Sequence, residues 1–451
     1  MKITILLLCL LTMAQNVNCQ VQATLSGTVK SLNGSTLPQA HVTISPWANN
    51  SGLFSTQTVE INEDGSFQTA ITKSGLYRLT FQGVMHKSIV SPLWIRKPDT
   101  LKLSARLDPK NMDDGTYFDS DEYLSWIRVT GNFNGYNYDK GVPFKKIGPK
   151  TLQAVIKTSL DTIRYQIVGL TSGTIVLPDA DGYELRDQRN YQGIMPVKNN
   201  SVVLTYKADS TYYPNKNPYE GYRTTWDPNQ SELKFSGPYE NKIHRNLDVQ
   251  NILPNIFNYK IFKNDSLPTE RFQIYMDKVQ EEIVQISIQE MNKVEEKISN
   301  YKNSTSLNEY YLQSLYLRYL LLSENLFINS WINGSTELDK KLEEEIDTGI
   351  LEASMLHIPA YSQLWSLRNS LINLLPKILG YTDSVTSYLE QVASENPDNS
   401  ITGRLLLELF KWSYDSEGTS ERTQKYYQKI LDAFGDDYYA RKAREYVQQN
   451  R

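Results

Sequence analysis

Few residues in this sequence have the type and spacing to do chemistry or recognition. The best placed are aromatic. In "VTGNFNGYNYD" (Val129 to Asp139), Asn134, Tyr136 and Tyr138 stand close together. A tyrosine ring has an apolar face and a polar rim, matching the apolar face and hydroxyl edge of a pyranose, and a nearby amide can take a hydroxyl. These three are the candidate carbohydrate-binding residues. A second cluster, Asp179, Asp181, Glu184 and Asp187 in "LPDADGYELRD", alternates carboxylates as a hard cation would require. The EF-hand spacing fails there, since Gly182 comes too early and no Glu closes the loop. A turn with solvated carboxylates is the simpler reading, and no metal site is assigned. The four histidines, His41, His86, His244 and His357, are scattered. None falls in HExxH spacing, and no GxSxG, P-loop or GxGxxG occurs. The sequence therefore assigns no catalytic residue and no cofactor.

The chain that must position these residues has 451 of them, enough for two to four domains. It is 40% hydrophobic and 22% charged, the balance of a folding chain. A net charge of −4 leaves no electrostatic footprint for nucleic acid. Tyrosines outnumber phenylalanines, 30 to 13, which suits half-wet β surfaces and recognition surfaces alike.

Lys2 followed by the apolar run Ile3–Ala14 reads as a secretory signal, too short to span a bilayer. Cleavage after Cys19, with Val17 at the third position before the cut, gives a leader of residues 1–19 and an exported chain starting at Gln20. Cys19 could instead carry a lipid, but Asn18 and Asn16 stand where a lipoprotein site wants a small and an aliphatic residue. Both cysteines, Cys9 and Cys19, belong to this segment. The mature chain is then thiol-free, which excludes disulfides, Cys-ligated zinc and CxxC redox chemistry. No later run reads as a transmembrane helix: Gln313 and Arg318 interrupt the most apolar one, Leu312–Leu322.

Residues 20–110 alternate apolar and polar positions between turn signals, with Asp64-Gly65 as a hairpin signal. After an acidic linker, residues 123–210 repeat the pattern in short strands at regular spacing. Residues 211–264 show no period, and "YYPNKNPYEGYRTTWDPNQ" is dense in Tyr, Pro and Asn. From 265 to 451 the period becomes helical. The predicted fold is two all-β sandwiches followed by an all-α, repeat-like bundle. Its predicted helices lie at about 307–330, 336–355, 360–378, 383–395, 400–414, 420–433 and 437–449, after a first helix carrying Val279, Ile283, Ile286, Val294 and Ile298.

Three resemblances add to this. Gly27, Val29, Leu37, Pro38, Ala40, Val42, Asp64, Gly65, Phe67, Gly75, Tyr77 and Leu79 resemble the carboxypeptidase regulatory-like domain, which implies a transthyretin-like sandwich and no activity. Val129, Gly131, Phe133 and Asn134, with Tyr165, Ile167, Val168 and Gly169, resemble the early-set, immunoglobulin-like glycogen-binding domains. That family stacks glucans on two tryptophans. Here Tyr136 holds the first position and the second has no counterpart, so the fold is expected to be kept and the glucan site lost. "KILDAFGDDYYARKAREYV" looks like the end of a tetratricopeptide-type helix pair. The domain order resembles the non-catalytic N-terminal part of extracytoplasmic thioredoxin-family proteins of Bacteroidota. In those a thioredoxin-like domain follows the helices; here Arg451 is reached without a CxxC, so no catalytic residue carries over.

The expectation is an exported, non-enzymatic binding or scaffold protein of a bacterial envelope, periplasmic or outer-membrane associated, whose partner is an envelope protein or a glycan. Glucan binding through the second sandwich, and an oxidoreductase interrupted before its thioredoxin domain, stay open as alternatives.

Overall fold

The structure, a computed structural model, describes residues 23–47, 56–110, 118–170, 173–177, 179–186, 190–208, 231–248, 269–302, 308–333, 344–368 and 370–450. The leader with Cys19, Asp187 and the Tyr/Pro/Asn-rich run lie outside the described residues.

The first sandwich is built from β1 (Ala23–Ser31), β2 (Ala40–Pro46), β3 (Gln57–Glu60), β4 (Ser66–Ile71), β5 (Gly75–Gly83), β6 (Ile89–Ile95) and β7 (Asp99–Leu107). One sheet runs β3-β2-β5-β6, all antiparallel. In the other, β1 lies between antiparallel β4 and parallel β7. Period-two alternation puts Leu25, Val29, Leu101 and Leu103 of one sheet against Val42, Ile44, Leu79 and Phe81 of the other. Asp64-Gly65 does not close a hairpin. β3 pairs with β2 and β4 with β1, so the turn hands the chain from one sheet to the other. Gly65 has φ +86°, and the Ser66 N–H donates to Asp64 Oδ1 at 2.8 Å.

The second sandwich follows the short helix α1 (Asp121–Trp126). Its strands are β8 (Arg128–Gly131), β9 (Val142–Pro143), β10 (Lys145–Gly148), β11 (Thr151–Lys157), β12 (Thr162–Leu170), β13 (Gly173–Ile175), β14 (Gly182–Leu185), β15 (Tyr191–Pro196) and β16 (Ser201–Lys207). One sheet is β10-β11-β16. The other is β14-β15-β12-β8-β9, with β13 also on β12. Tyr123, Tyr165 and Tyr206 are fully buried between them.

The stretch expected to be irregular contains two regular elements. β17 (Glu232–Phe235) pairs antiparallel with β7, from Glu232 opposite Arg106 to Phe235 opposite Leu103. α2 (Pro238–Leu247) follows at once, with Pro at its first turn. A four-residue strand and a polar ten-residue helix are too short to show a period. Their apolar residues, Phe235, Ile243 and Leu247, are buried all the same.

The helical region comprises α3 (Thr269–Lys302), α4 (Glu309–Asn333), α5 (Thr348–His357), α6 (Leu371–Leu379), α7 (Asp383–Glu395), α8 (Asn399–Glu417), α9 (Glu421–Phe434) and α10 (Tyr438–Gln449). Val284, Met291, Val294 and Ile298 mark the buried stripe of α3. Side-chain caps start several helices: Thr382 for α7, Asp398 for α8 and Ser420 for α9. The single helix expected at 360–378 is two pieces, a 3-10 turn at Gln363–Leu367 and α6. α9 and α10 form the expected terminal pair, turned at Gly435 with φ +54°. No described helix is long and apolar enough to cross a membrane.

The first sandwich touches both neighbours. Toward the helices, Arg96 pairs with Glu240 of α2, and the Trp94 N–H donates to His244 Nε2 at 3.3 Å. His244 Nδ1 lies 2.8 Å from the Glu240 carbonyl, so Nδ1 carries the proton and the ring is neutral. Phe235 stacks on that ring at 4.0 Å, and burial pushes His244 down to about 4. Trp47 donates to the Leu367 carbonyl at 3.1 Å, and the Leu76 N–H to Gln363 at 2.8 Å. Toward the second sandwich the contact is smaller. Val84, Val176 and Tyr191 form an apolar knot. His41 Nδ1 is hydrogen-bonded to the Tyr191 hydroxyl at 2.6 Å. Lys110 Nζ donates to the Thr174 carbonyl at 2.7 Å, and burial pulls it down to about 8.

Candidate functional site

β8 ends in a loop that folds back over the outer face of its own sheet. Asn134 holds the loop shut: its Oδ1 accepts from the Gly131 N–H at 3.0 Å, and its Nδ2 donates to the carbonyls of Asn137 at 3.1 Å and Lys140 at 3.0 Å. Asn134 is thus spent on its own backbone, with no donor left for a ligand. Gly135 and Tyr136 follow with φ of +63° and +56°, consecutive left-handed residues as in a type I′ turn. Glycine takes this conformation freely, whereas tyrosine is strained by about 1 kcal/mol. The strain is offset by what the ring reaches.

The Tyr136 hydroxyl donates to Gln192 Oε1 on β15. The Arg186 guanidinium lies over the ring, 3.9 Å from its centroid. Arg186 also donates to Gln166 Oε1 on β12, and Gln166 Nε2 to the Tyr191 carbonyl at 2.8 Å. Gln192 Nε2 donates to Glu184 Oε2 at 3.2 Å, and Arg164 Nε donates to the same oxygen at 2.6 Å. Gln166 and Gln192 are buried, while Arg164 and Glu184 are each 45% exposed at the side chain. The result is an aromatic ring joined to a connected row of amides, a carboxylate and two guanidiniums. Burial raises the Tyr136 hydroxyl above its ordinary range, partly countered by Arg186 and Arg164. The hydroxyl therefore stays a proton donor to Gln192 at neutral pH.

Tyr138 is not brought into this cluster. Its hydroxyl donates to the Trp126 carbonyl at 2.7 Å and its ring lies 5.7 Å from the Arg128 guanidinium. Of the three residues expected to bind sugar, one is a loop staple, one faces elsewhere, and Tyr136 alone joins a polar constellation. The residues around Tyr136 were not read as site residues, although a signal existed. In "TIRYQIV" Arg164 and Gln166 alternate with core residues Ile163, Tyr165 and Ile167, which places them together on the outer face.

Glu184, one of the four possible cation ligands, is turned to Arg164 and Gln192. Among the described residues no group of three or more His, Cys, Asp or Glu is placed to hold a metal. The histidines serve the fold: His86 Nδ1 meets the Val84 carbonyl at 2.7 Å and its Nε2 meets Ser31 Oγ at 3.1 Å. His357 stacks on Tyr316 at 4.7 Å.

No family model matches this chain, and no curated protein matches it. Solved structures do. One is described as a "putative carbohydrate binding protein" from Bacteroides uniformis, 10% identical over 42% of this chain and 80% of that one, with a TM-score of 0.17. Another is a DUF3823 family protein of the same organism, also 10% identical, covering 42% and 84%, with a TM-score of 0.15. A third is the TIE protein of Bacillus anthracis, 12% identical over 40% of this chain and 32% of that one, with a TM-score of 0.17; the chain spans about a third of its length.

Proposed function

We propose that this chain is a non-enzymatic binding protein of a bacterial cell envelope, and that it presents a glycan-recognition face on the outer sheet of its second sandwich. The observation that carries this reading is Tyr136, held in a left-handed conformation in which its hydroxyl reaches Gln192 and its ring backs Arg186, joining them to a network that continues to Gln166, Glu184 and Arg164. Planar polar side chains beside an aromatic ring suit a saccharide, whose neighbouring hydroxyls need paired donors and acceptors. The structural duties of His41, His86 and His244 favour binding over catalysis. The apolar leader supports export. The layout of two sandwiches and then helices also supports the likeness to the front of extracytoplasmic thioredoxin-family proteins, in which role this chain would supply recognition and another domain the redox chemistry.

Native affinity electrophoresis in gels containing soluble polysaccharides tests the proposal. Retardation by at least one polysaccharide, abolished by Tyr136→Ala, is the expected result. Unchanged migration across neutral and acidic polysaccharides would overturn it.

A further inference from the structure

We infer that the saccharide taken at this face is anionic, carrying a carboxylate or a sulfate ester; the inference rests on the glycan reading above. Three observations carry it. First, the Arg186 guanidinium covers one face of the Tyr136 ring at 3.9 Å, where a neutral pyranose would otherwise stack. The ring is thereby converted from an apolar platform into the backing of a cation. Second, Arg186 has no carboxylate partner among the described residues; the side-chain acceptor it meets is the neutral amide of Gln166. Among the described residues no carboxylate compensates its positive charge, and the residue is exposed. Third, Arg164 gives only Nε to Glu184, and its two terminal nitrogens make no hydrogen bond among the described residues. Among the described residues, two guanidiniums against the one carboxylate of Glu184 leave the cluster with an excess positive charge.

A guanidinium binds a carboxylate or sulfate through two parallel N–H···O bonds, stronger than its bonds to neutral hydroxyls. Glu184 and Gln192 then supply acceptors and donors for the hydroxyls beside the acidic group.

The test is calorimetric titration of the full chain with oligogalacturonate, a heparin oligosaccharide and maltoheptaose, at low and high salt. The first two probes separate carboxylate from sulfate recognition, and the third is the neutral control. Binding of one or both acidic probes is expected, weakened by salt because the contact is ionic. Arg186→Gln should weaken it by about tenfold or more in a variant that still unfolds cooperatively, while Arg186→Lys restores only part. Binding of maltoheptaose alone would overturn the anionic inference and leave the glycan reading standing. Acidic binding that is unchanged in Arg186→Gln would overturn the assignment to this face. No binding by any of the three, with unretarded migration in every polysaccharide gel, would overturn both.

Discussion

The first sandwich meets the helices and the second sandwich through junctions of different chemistry. On the helical side an arginine is paired with a glutamate, a neutral histidine is hydrogen-bonded at both nitrogens, and Trp94 packs edge-on against Tyr310 at 5.4 Å. On the other side there is a three-residue apolar knot, one histidine–tyrosine hydrogen bond and a half-buried lysine held by one carbonyl. Arg96 on the helical side has a carboxylate partner, whereas the partner seen for the Lys110 ammonium among the described residues is a carbonyl dipole. The difference in contacts leads us to expect that the helical junction is the firmer of the two, and that the second sandwich with its Tyr136 face separates from the first at lower cost.

The largest effect that would break this contrast is at Arg96. Arg96→Ala leaves Glu240 without its cation in a mostly buried setting and should cost about 3 kcal/mol, read by chemical denaturation. A loss below about 1 kcal/mol would show that the helical junction is no firmer than the other. His244 makes the same junction acid-sensitive. Its folded value is about 4, so the unfolded chain takes up a proton at higher pH than the folded chain does. Its contribution is complete above about pH 6.5 and is lost as pH falls toward 4, with a slope up to about 1.4 kcal/mol per pH unit. A slope in that window that is the same in His244→Phe would assign it to other groups. Tyr191→Phe, on the weaker side, removes the His41 hydrogen bond and should cost about 1 kcal/mol. Hydrogen exchange should localise that loss to the sandwich junction and leave the α2 amides as protected as before. Lys110→Met should have the smallest effect, within about 1 kcal/mol at neutral pH. The lost bond to Thr174 is offset by removing a partly desolvated cation, still charged at neutral pH because its folded value is about 8. A loss of several kcal/mol would make Lys110 a structural anchor and reverse the contrast.

Much of this fold was legible because its strands alternate cleanly. "TLQAVIK" buries Leu152, Ala154 and Ile156 on one face, and Asp99–Leu107 buries every second residue from Leu101. Asp64-Gly65 was correctly read as a turn and wrongly as a hairpin, since local φ > 0 chemistry fixes a reversal but not which sheet the next strand joins. β17 and α2 were missed because their assignment depends on partners remote in sequence. At the site, the loop announced itself through Asn134 and Tyr136. The rest did not, because Gln166 on β12, Gln192 on β15 and Arg186 just past β14 meet only once the register is set.

β17 has a consequence for how the protein is made. The edge of β7 stays uncovered until Glu232–Phe235 have been synthesised, after the whole second sandwich. A chain cut after Lys207, although it holds every residue of the Tyr136 face, would leave β7 with open backbone donors and acceptors beside buried Leu103 and Ala105. Such an edge is a template for pairing with another copy, so the shortened chain would be prone to aggregate. A chain that carries both sandwiches should therefore extend to the segment that closes the first of them.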